Sequence, residues 1–143
     1  DPPRIGATPM YASTTEGGQT FAFPNVCNTP SPSGTVPIPY TSLGNVSDTD
    51  SDTCPDSVKI SNKYVCTVES EIGSTSTDEA GTSGGVISGQ NSDLCVWENG
   101  SSKVNAGGDA IVRFLDPIAS NGDSANAYGA QISPSQTTVN VNS

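Results

Sequence analysis

Apolar residues in this chain fall in short runs that alternate with polar residues and end at Gly, Pro, Ser or Asn. Such alternation is the pattern of half-buried β-strands and leaves little room for long helices. The clearest predicted pair of strands is 58–60 and 64–68, joined by the polar turn 61–63. The other predicted strands are 20–24, 86–87, 94–97 and 110–115, with 137–141 as an edge strand or a tail.

Prolines set limits on these predicted strands. Pro24 would end the first strand or confine it to a sheet edge, because proline has no amide to give to a ladder. Pro117 would likewise break the last strong strand. The prolines between Pro30 and Pro39 remove further donors and favour an extended, polyproline-like segment, so a helix is not expected there.

Two polar stretches complete the pattern. Residues 43–56 are rich in Asp, Ser and Thr, the composition of a solvated loop, and Asn99-Gly100 is a strong signal for a tight turn. The chain therefore predicts a small, turn-rich all-β domain. The pattern alone is compatible with a sandwich, a barrel or a pyramidal stack of hairpins.

Composition narrows the class of function. The 143 residues suit one domain, and five Lys and Arg against fifteen Asp and Glu give a formal charge of −10. That charge repels phosphate backbones and anionic lipid headgroups, so we expect neither nucleic acid nor membrane-surface binding. No apolar stretch approaches the length of a membrane span and no signal-peptide pattern is present, so no stable membrane anchor is predicted.

The chain contains no histidine, which excludes Ser-His-Asp and Cys-His catalysis. Paired carboxylates from Glu69, Glu71, Asp78 and Glu79 are the remaining candidates for acid–base chemistry. In so acidic a protein these groups are better explained as a solvated face, with Asp78 and Glu79 capping turns through backbone amides. We therefore predict no enzyme, no catalytic residue and no cofactor.

Four cysteines, Cys27, Cys54, Cys66 and Cys95, allow three complete disulfide pairings. Cys54 and Cys66 flank the predicted hairpin and are the first candidates for a bridge. No Cys-x-x-Cys pair occurs, so the spacing does not support a zinc site made of all four cysteines. Free buried thiols are the third alternative.

Two stretches, 21–40 and 78–88, share their order and spacing with a known family. The first reads FAFPNVCNTPSP and continues to VPIPY, and the second reads DEAGTSGGVIS. The chain resembles the toxin-associated PAAR-like family of spike-tip proteins over residues 10–121. The residues that carry the resemblance are Pro24, Cys27, Pro30, Pro37, Pro39, Asp78, Glu79, Gly81, Thr82, Gly84 and Gly85.

The resemblance implies a compact cone of short β-hairpins, with 1–9 as an N-terminal extension and 10–143 as a single spike-tip domain. Members cap the trimeric, VgrG-like spike of a type VI or related contractile injection system, one tip per trimer, and sharpen it for membrane puncture. An effector or its adaptor is a further partner. Such a protein is made in the bacterial cytoplasm, assembled on the apparatus and then injected.

We place the spike-binding surface on exposed apolar residues that need a partner, Phe21, Phe23, Val36, Ile38 and Tyr40. PAAR proteins hold a metal at the apex with histidines and a cysteine. Here Phe114 and Ser120 stand where family histidines are expected, so the sequence predicts a tip without that metal.

The alternative is a secreted, disulfide-stapled β module that binds carbohydrate or a cell surface. Asn45-Val-Ser and Asn99-Gly-Ser match the acceptor pattern for N-glycosylation, which such a module would carry. This reading accounts for the cysteines and the acidity equally well. It does not account for two family motifs in the correct order.

Overall fold

The computed structural model describes residues 9–141. This part of the chain is all-β, as predicted, with ten strands and two 3-10 turns, at Val46–Asp48 and Ser51–Thr53. The strands are β1 (Gln19–Ser31), β2 (Gly34–Asn45), β3 (Lys59–Ile60), β4 (Lys63–Tyr64), β5 (Glu71–Ile72), β6 (Cys95–Trp97), β7 (Asn105–Ala106), β8 (Asp109–Ala110), β9 (Pro117–Ser120) and β10 (Ala127–Ser133). Within this part of the chain, no helix is long and apolar enough to cross a membrane.

Six of the strands form one antiparallel sheet in the order β2-β1-β10-β9-β6-β5. The pairs β3-β4 and β7-β8 form two small separate hairpins. Strand β10 lies between β1 and β9, with Ala130 opposite both Phe21 and Pro117. The sequence pattern missed β10 entirely, because its residues mix Gly, Ala and Gln with apolar positions.

Alternate residues give this sheet a buried inner face. Ala22, Ile72, Trp97 and Ile118 point inward from four different strands and are almost wholly buried. They belong to the main core cluster, which also contains Val46, Cys54, Cys66, Cys95, Val112 and Ala127. A second cluster lies beside the small hairpins and consists of Ala12, Val65, Ala106, Ile111 and Val141.

The prediction that Pro24 ends the first strand or confines it to an edge is wrong. Strand β1 continues through Pro24 and pairs with β2 before and after a bulge between Ala22 and Asn25, whereas its pairing with β10 ends at Ala22. The strand at the edge is β2, which carries Pro37 and Pro39. Proline is tolerated on an edge strand where its missing amide would face away from the neighbouring strand, and it protects that edge from further pairing.

The predicted hairpin around residues 61–63 is confirmed, although its strands are only two residues long. Ser61 and Asn62 both have positive φ, as a tight hairpin turn requires. The Asn99-Gly100 signal was misleading, because the next hairpin turns at Gly107 and Gly108 instead. Two consecutive glycines adopt positive φ there without the steric cost that other residues meet.

Two predicted strands, 86–87 and 110–115, are wrong. Residues 86–87 lie in a turn, whereas 137–141 contribute only an isolated bridge from Asn140 to Tyr11, as the tail alternative allowed. Residues 110–115 are mostly irregular, with single bridges from Ile111 and Arg113, and the regular strand begins after them at Pro117. A strand can begin at proline because its first residue does not need to donate to the ladder.

The predicted loop 43–56 is more ordered than its composition indicates. Strand β2 extends to Asn45, and the side chain of Asp50 accepts a hydrogen bond from the Asp52 amide at 3.0 Å to cap the second 3-10 turn. Val46 and Thr49 are buried against the rest of the domain. Short polar side chains here satisfy the backbone of tight turns, so they are structural rather than merely solvated.

Candidate functional site

The two motif stretches are joined by a buried network of polar side chains. Asn25 in β1 donates from Nδ2 to Asp78 Oδ2 at 2.8 Å. The side-chain oxygen of Asn25, Oδ1, accepts from Asn126 Nδ2 at 2.6 Å and from Asn121 Nδ2 at 3.1 Å. All four side chains are buried, so each hydrogen bond is made where water cannot replace it. We call these four residues the amide network.

Asp78 is the anionic member of the amide network. Its carboxylate accepts from Asn25 and from the Ser92 hydroxyl at 2.7 Å and the Ser92 amide at 3.2 Å. Glu79 instead accepts from the Thr77 amide at 3.0 Å on the surface, which lowers the pKa of Glu79. Both acids therefore hold backbone amides, as the sequence predicted. The oxygens of Asp78 are thus occupied by three donors inside the domain.

Asn121 and Asn126 fasten the second motif and the segment that follows it. Asn121 donates to the Gln90 carbonyl at 2.9 Å and accepts from the Asp93 amide at 3.1 Å. Asn126 accepts from the Ile87 amide at 2.9 Å. Neither asparagine was predicted to have a role. Asparagine is common in exposed turns, so the identity of these two residues gave no sign that their side chains are buried.

The motif glycines make this close packing sterically feasible. A Cβ at Gly81 would lie 2.4 Å from Cys27 Cβ and 3.1 Å from Tyr40 Cε2. A Cβ at Gly85 would lie 2.3 Å from Asn126 Cγ. Such distances are far inside van der Waals contact, so the requirement for glycine follows from the approach of the two motifs.

Cys27 lies within the same region and is a neutral thiol. Burial raises the pKa of Cys27, and the negative charge of Asp78 raises it further. Its Sγ lies 3.6 Å from Asn25 Oδ1, and the Asn121 amide lies at the same distance from Sγ. Cys27 therefore packs as a small side chain between the motifs rather than as a reactive group.

Where strands β1 and β10 form it, the outer face of the six-stranded sheet is apolar and exposed. Phe21 and Phe23 project from β1, and Tyr128 and Ile132 project from β10 on the same side. Phe21 stands opposite Ala130, between the positions of Tyr128 and Ile132. A run of large apolar side chains on one sheet face is unusual for a surface that meets only water.

The second motif extends this outer face beyond the end of β10. The Val86 amide donates to the Val26 carbonyl at 3.0 Å, and the adjacent bridge joins Cys27 to Gly85. Because Cys27 and Gly85 are buried, alternation places Val26 and Val86 outward. We call the whole surface the outer apolar face, formed by Phe21, Phe23, Val26, Val86, Tyr128 and Ile132.

The five residues predicted to bind the spike lie on two different surfaces. Phe21 and Phe23 are on the outer apolar face. Val36, Ile38 and Tyr40 alternate along β2 on the opposite side, in register with Thr29, Cys27 and Asn25. The Tyr40 hydroxyl lies 2.7 Å from Thr29 Oγ1 and its ring packs over Gly81, so Tyr40 supports the motif packing.

The remaining motif residues are distributed along the same elements. Pro30 lies near the tip of the β1-β2 hairpin, and Thr82 is exposed in the turn of the second motif. Gly84 is buried, with φ of +91°, and its carbonyl accepts from the Asn28 amide at 2.8 Å. This contact is a further point where the second motif runs beside β1.

The cysteines are thiols in this structure and do not gather at one point. Cys54 and Cys66, the predicted pair, both belong to the main core cluster, and their interaction lowers the pKa of Cys54. Cys95 lies elsewhere in that core, 3.7 Å from Thr20 Oγ1.

Among residues 9–141, no group of three or more His, Cys, Asp or Glu side chains could hold a metal ion. Ser120, where a family histidine was expected, shares a hydrogen bond of 2.7 Å with Ser42.

Comparison with protein families identifies the class of protein. The family model for the toxin PAAR-like domain matches residues 18–129, well over half of the chain. The matched span includes both motifs, the whole amide network and most of the outer apolar face. The chain belongs to the toxin PAAR-like family, a toxin-associated structural class that is not defined by an enzymatic activity. Comparisons with curated proteins and with solved structures gave no match.

Proposed function

We propose that this chain is a non-enzymatic spike-tip protein that caps a trimeric, VgrG-like spike through its outer apolar face. The observation that carries the proposal is the position of that face. Both family motifs contribute to it, through Phe21 and Phe23 from the first and Val86 from the second.

The chemistry of the proposed partner matches this surface. The end of a trimeric β-helix exposes unpaired strand ends around an apolar interior, and covering that end removes both from water. Only the outer face of the six-stranded sheet is available to cover the spike, because the inner face of the sheet already packs against the core. The amide network holds the two motifs at fixed relative positions, so the covering surface is rigid before it binds.

A single tip on a threefold spike meets three equivalent protomers with one asymmetric surface. The outer apolar face is accordingly expected to make three different contacts.

In this proposal the protein is made in the bacterial cytoplasm, assembled on the injection apparatus and delivered with it to the target. An effector or its adaptor is the second partner, and puncture is mechanical, so it requires no catalytic residue.

The test is copurification with a trimeric spike protein encoded beside this chain, followed by native mass determination. We expect one copy of the chain per three spike protomers. The F23A/Y128A double variant removes two aromatic rings that are 54% and 59% exposed, so folding is little affected. If both rings are buried at the interface, binding weakens by about 1,000-fold, since buried aromatic anchors typically contribute about 2 kcal/mol each and about 1.4 kcal/mol corresponds to a factor of ten.

The matched control is V36A/I38A, which removes apolar side chains of similar exposure from the opposite side of the β1-β2 hairpin. It should bind the spike as tightly as the unmodified chain. Loss of binding in this control with full binding by F23A/Y128A would move the interface to the other surface. A chain that remains a monomer beside every spike tested would favour the carbohydrate-binding alternative.

A further inference from the structure

Cys54 and Cys66 form a pair of neighbouring thiols that neither the amide network nor the outer apolar face uses. Cys54 follows the second 3-10 turn, and Cys66 follows β4. Both residues belong to the main core cluster, and their mutual interaction lowers the pKa of Cys54 and raises that of Cys66. Ser70 Oγ lies 3.5 Å from Cys54 Sγ, and Thr49 Oγ1 lies 3.9 Å from Cys66 Sγ.

The two thiols differ in their access to solvent. Cys54 lies on the wall of an open depression of about 550 Å³, whereas Cys66 is wholly buried behind it. A small molecule in the depression can therefore reach Cys54 directly but reaches Cys66 only through Cys54. This order is the one required of an attacking thiol and a resolving thiol.

The electrostatics of the depression restrict which molecules enter it. Its walls carry Asp52, Asp56 and Asp109, and the depression has no cationic side chain among its lining residues. Anionic molecules are repelled there, while neutral and cationic ones are accepted. The hydrogen bond from Cys66 lowers the pKa of Cys54 to about 7, although burial and the carboxylate of Asp50 oppose that change.

We propose that Cys54 and Cys66 are an oxidisable pair that reacts with a neutral or cationic low-molecular-mass disulfide entering this depression. The Cys54 thiolate attacks one sulfur of the small disulfide, a new S–S bond forms, and one small thiol leaves with a proton. The Cys66 thiol then loses its proton and attacks Cys54 Sγ, which releases the second small thiol. Two protein thiols are oxidised and one small disulfide is reduced to two thiols.

The product is a bridge between the second 3-10 turn and the segment after β4, across the main core. A protein made in a reducing cytoplasm would carry the dithiol and acquire the bridge in an oxidising medium. This inference does not rest on the spike-tip function, because it concerns only the chemistry of the isolated chain.

The experiment uses the intact, reduced chain incubated separately with cystamine, hydroxyethyl disulfide and oxidised glutathione. The reaction is stopped with iodoacetamide and followed by intact mass and peptide mapping. We expect the loss of two hydrogen atoms at Cys54 and Cys66, about tenfold faster with cystamine than with anionic oxidised glutathione at low salt. Equal rates for the two reagents, first modification at Cys27 or Cys95, or no reaction with any reagent would overturn the proposal.

Variants separate the two steps. Cys66→Ser should accumulate a mixed disulfide at Cys54, since no thiol remains to resolve it. Cys54→Ser should gain no adduct at Cys66. Cys27→Ser is the matched control and should form the bridge at the unmodified rate. A stable adduct on Cys66 in the Cys54→Ser variant would show that the reagent does not reach Cys66 through Cys54. The peptide map of the unmodified chain tests the same order of reaction, first Cys54 and then Cys66, without any substitution.

Discussion

Gly85→Ala tests whether the motif glycines exist for the amide network. The added Cβ would lie 2.3 Å from Asn126 Cγ, 2.4 Å from Oδ1 and 2.7 Å from Nδ2, so the side chain of Asn126 must move by about 1 Å or more. That movement breaks its bonds to Asn25 Oδ1, the Val26 carbonyl and the amide of Ile87. At about 1 kcal/mol for each buried bond lost, and more where a donor stays unpaired, we expect a loss of about 3–5 kcal/mol.

The assay is denaturant unfolding under reducing conditions, followed by the fluorescence of Trp97, which lies in the main core. Gly73→Ala is the matched control, because Gly73 is exposed, has no heavy atom within 4 Å of a built Cβ and does not need positive φ. It should change the free energy of unfolding by less than about 0.5 kcal/mol. If Gly85→Ala costs no more than Gly73→Ala, the steric explanation of the motif is incorrect.

Three further outcomes are expected. Asp78→Asn presents an amide to three donors and should lower the free energy of unfolding by about 3 kcal/mol, measured by the same unfolding curve. Labelling of Cys54 by iodoacetamide should rise with pH and reach half its maximum near pH 7, because the thiolate is the reactive form; Cys95, whose pKa burial raises to about 11, should stay unlabelled in the folded chain. Closing the Cys54–Cys66 bridge should stabilise the domain by about 3 kcal/mol, and a reductant should reverse the gain.

The sequence was sufficient for the fold class because short alternating runs and turn residues are local signals. The hairpin at Ser61 and Asn62 was predicted for that reason, since its turn is encoded by adjacent residues. Strand β10 was not predictable in the same way. Its Ala127, Gly129 and Gln131 face the core at positions where larger apolar residues would be expected, and only its neighbours β1 and β9 explain them.

The candidate site was predictable only in part. The two motifs were found because their residues are contiguous, and Phe21 and Phe23 proved to be exposed as expected. Their partners on the outer apolar face, Tyr128 and Ile132, come from the end of the chain and are placed by long-range strand pairing. The bulge in β1 also could not be predicted from the sequence. It shifts the alternation of inward and outward side chains along β1, and so helps to determine on which side of the sheet the β2 side chains lie.

The polar part of the interior helps to explain how so small an apolar content suffices. Asn25, Asp78 and Asn121 occupy interior positions that aromatic residues would fill in many domains, and their hydrogen bonds are directional, so they fix one relative arrangement of the motifs. Large aromatic side chains such as Phe23 and Tyr128 are then left on the surface. Replacing the amide network by apolar residues would therefore change the geometry of the outer apolar face more than its hydrophobicity. An interface made of rigid aromatic contacts depends on both the geometry and the hydrophobicity of that face.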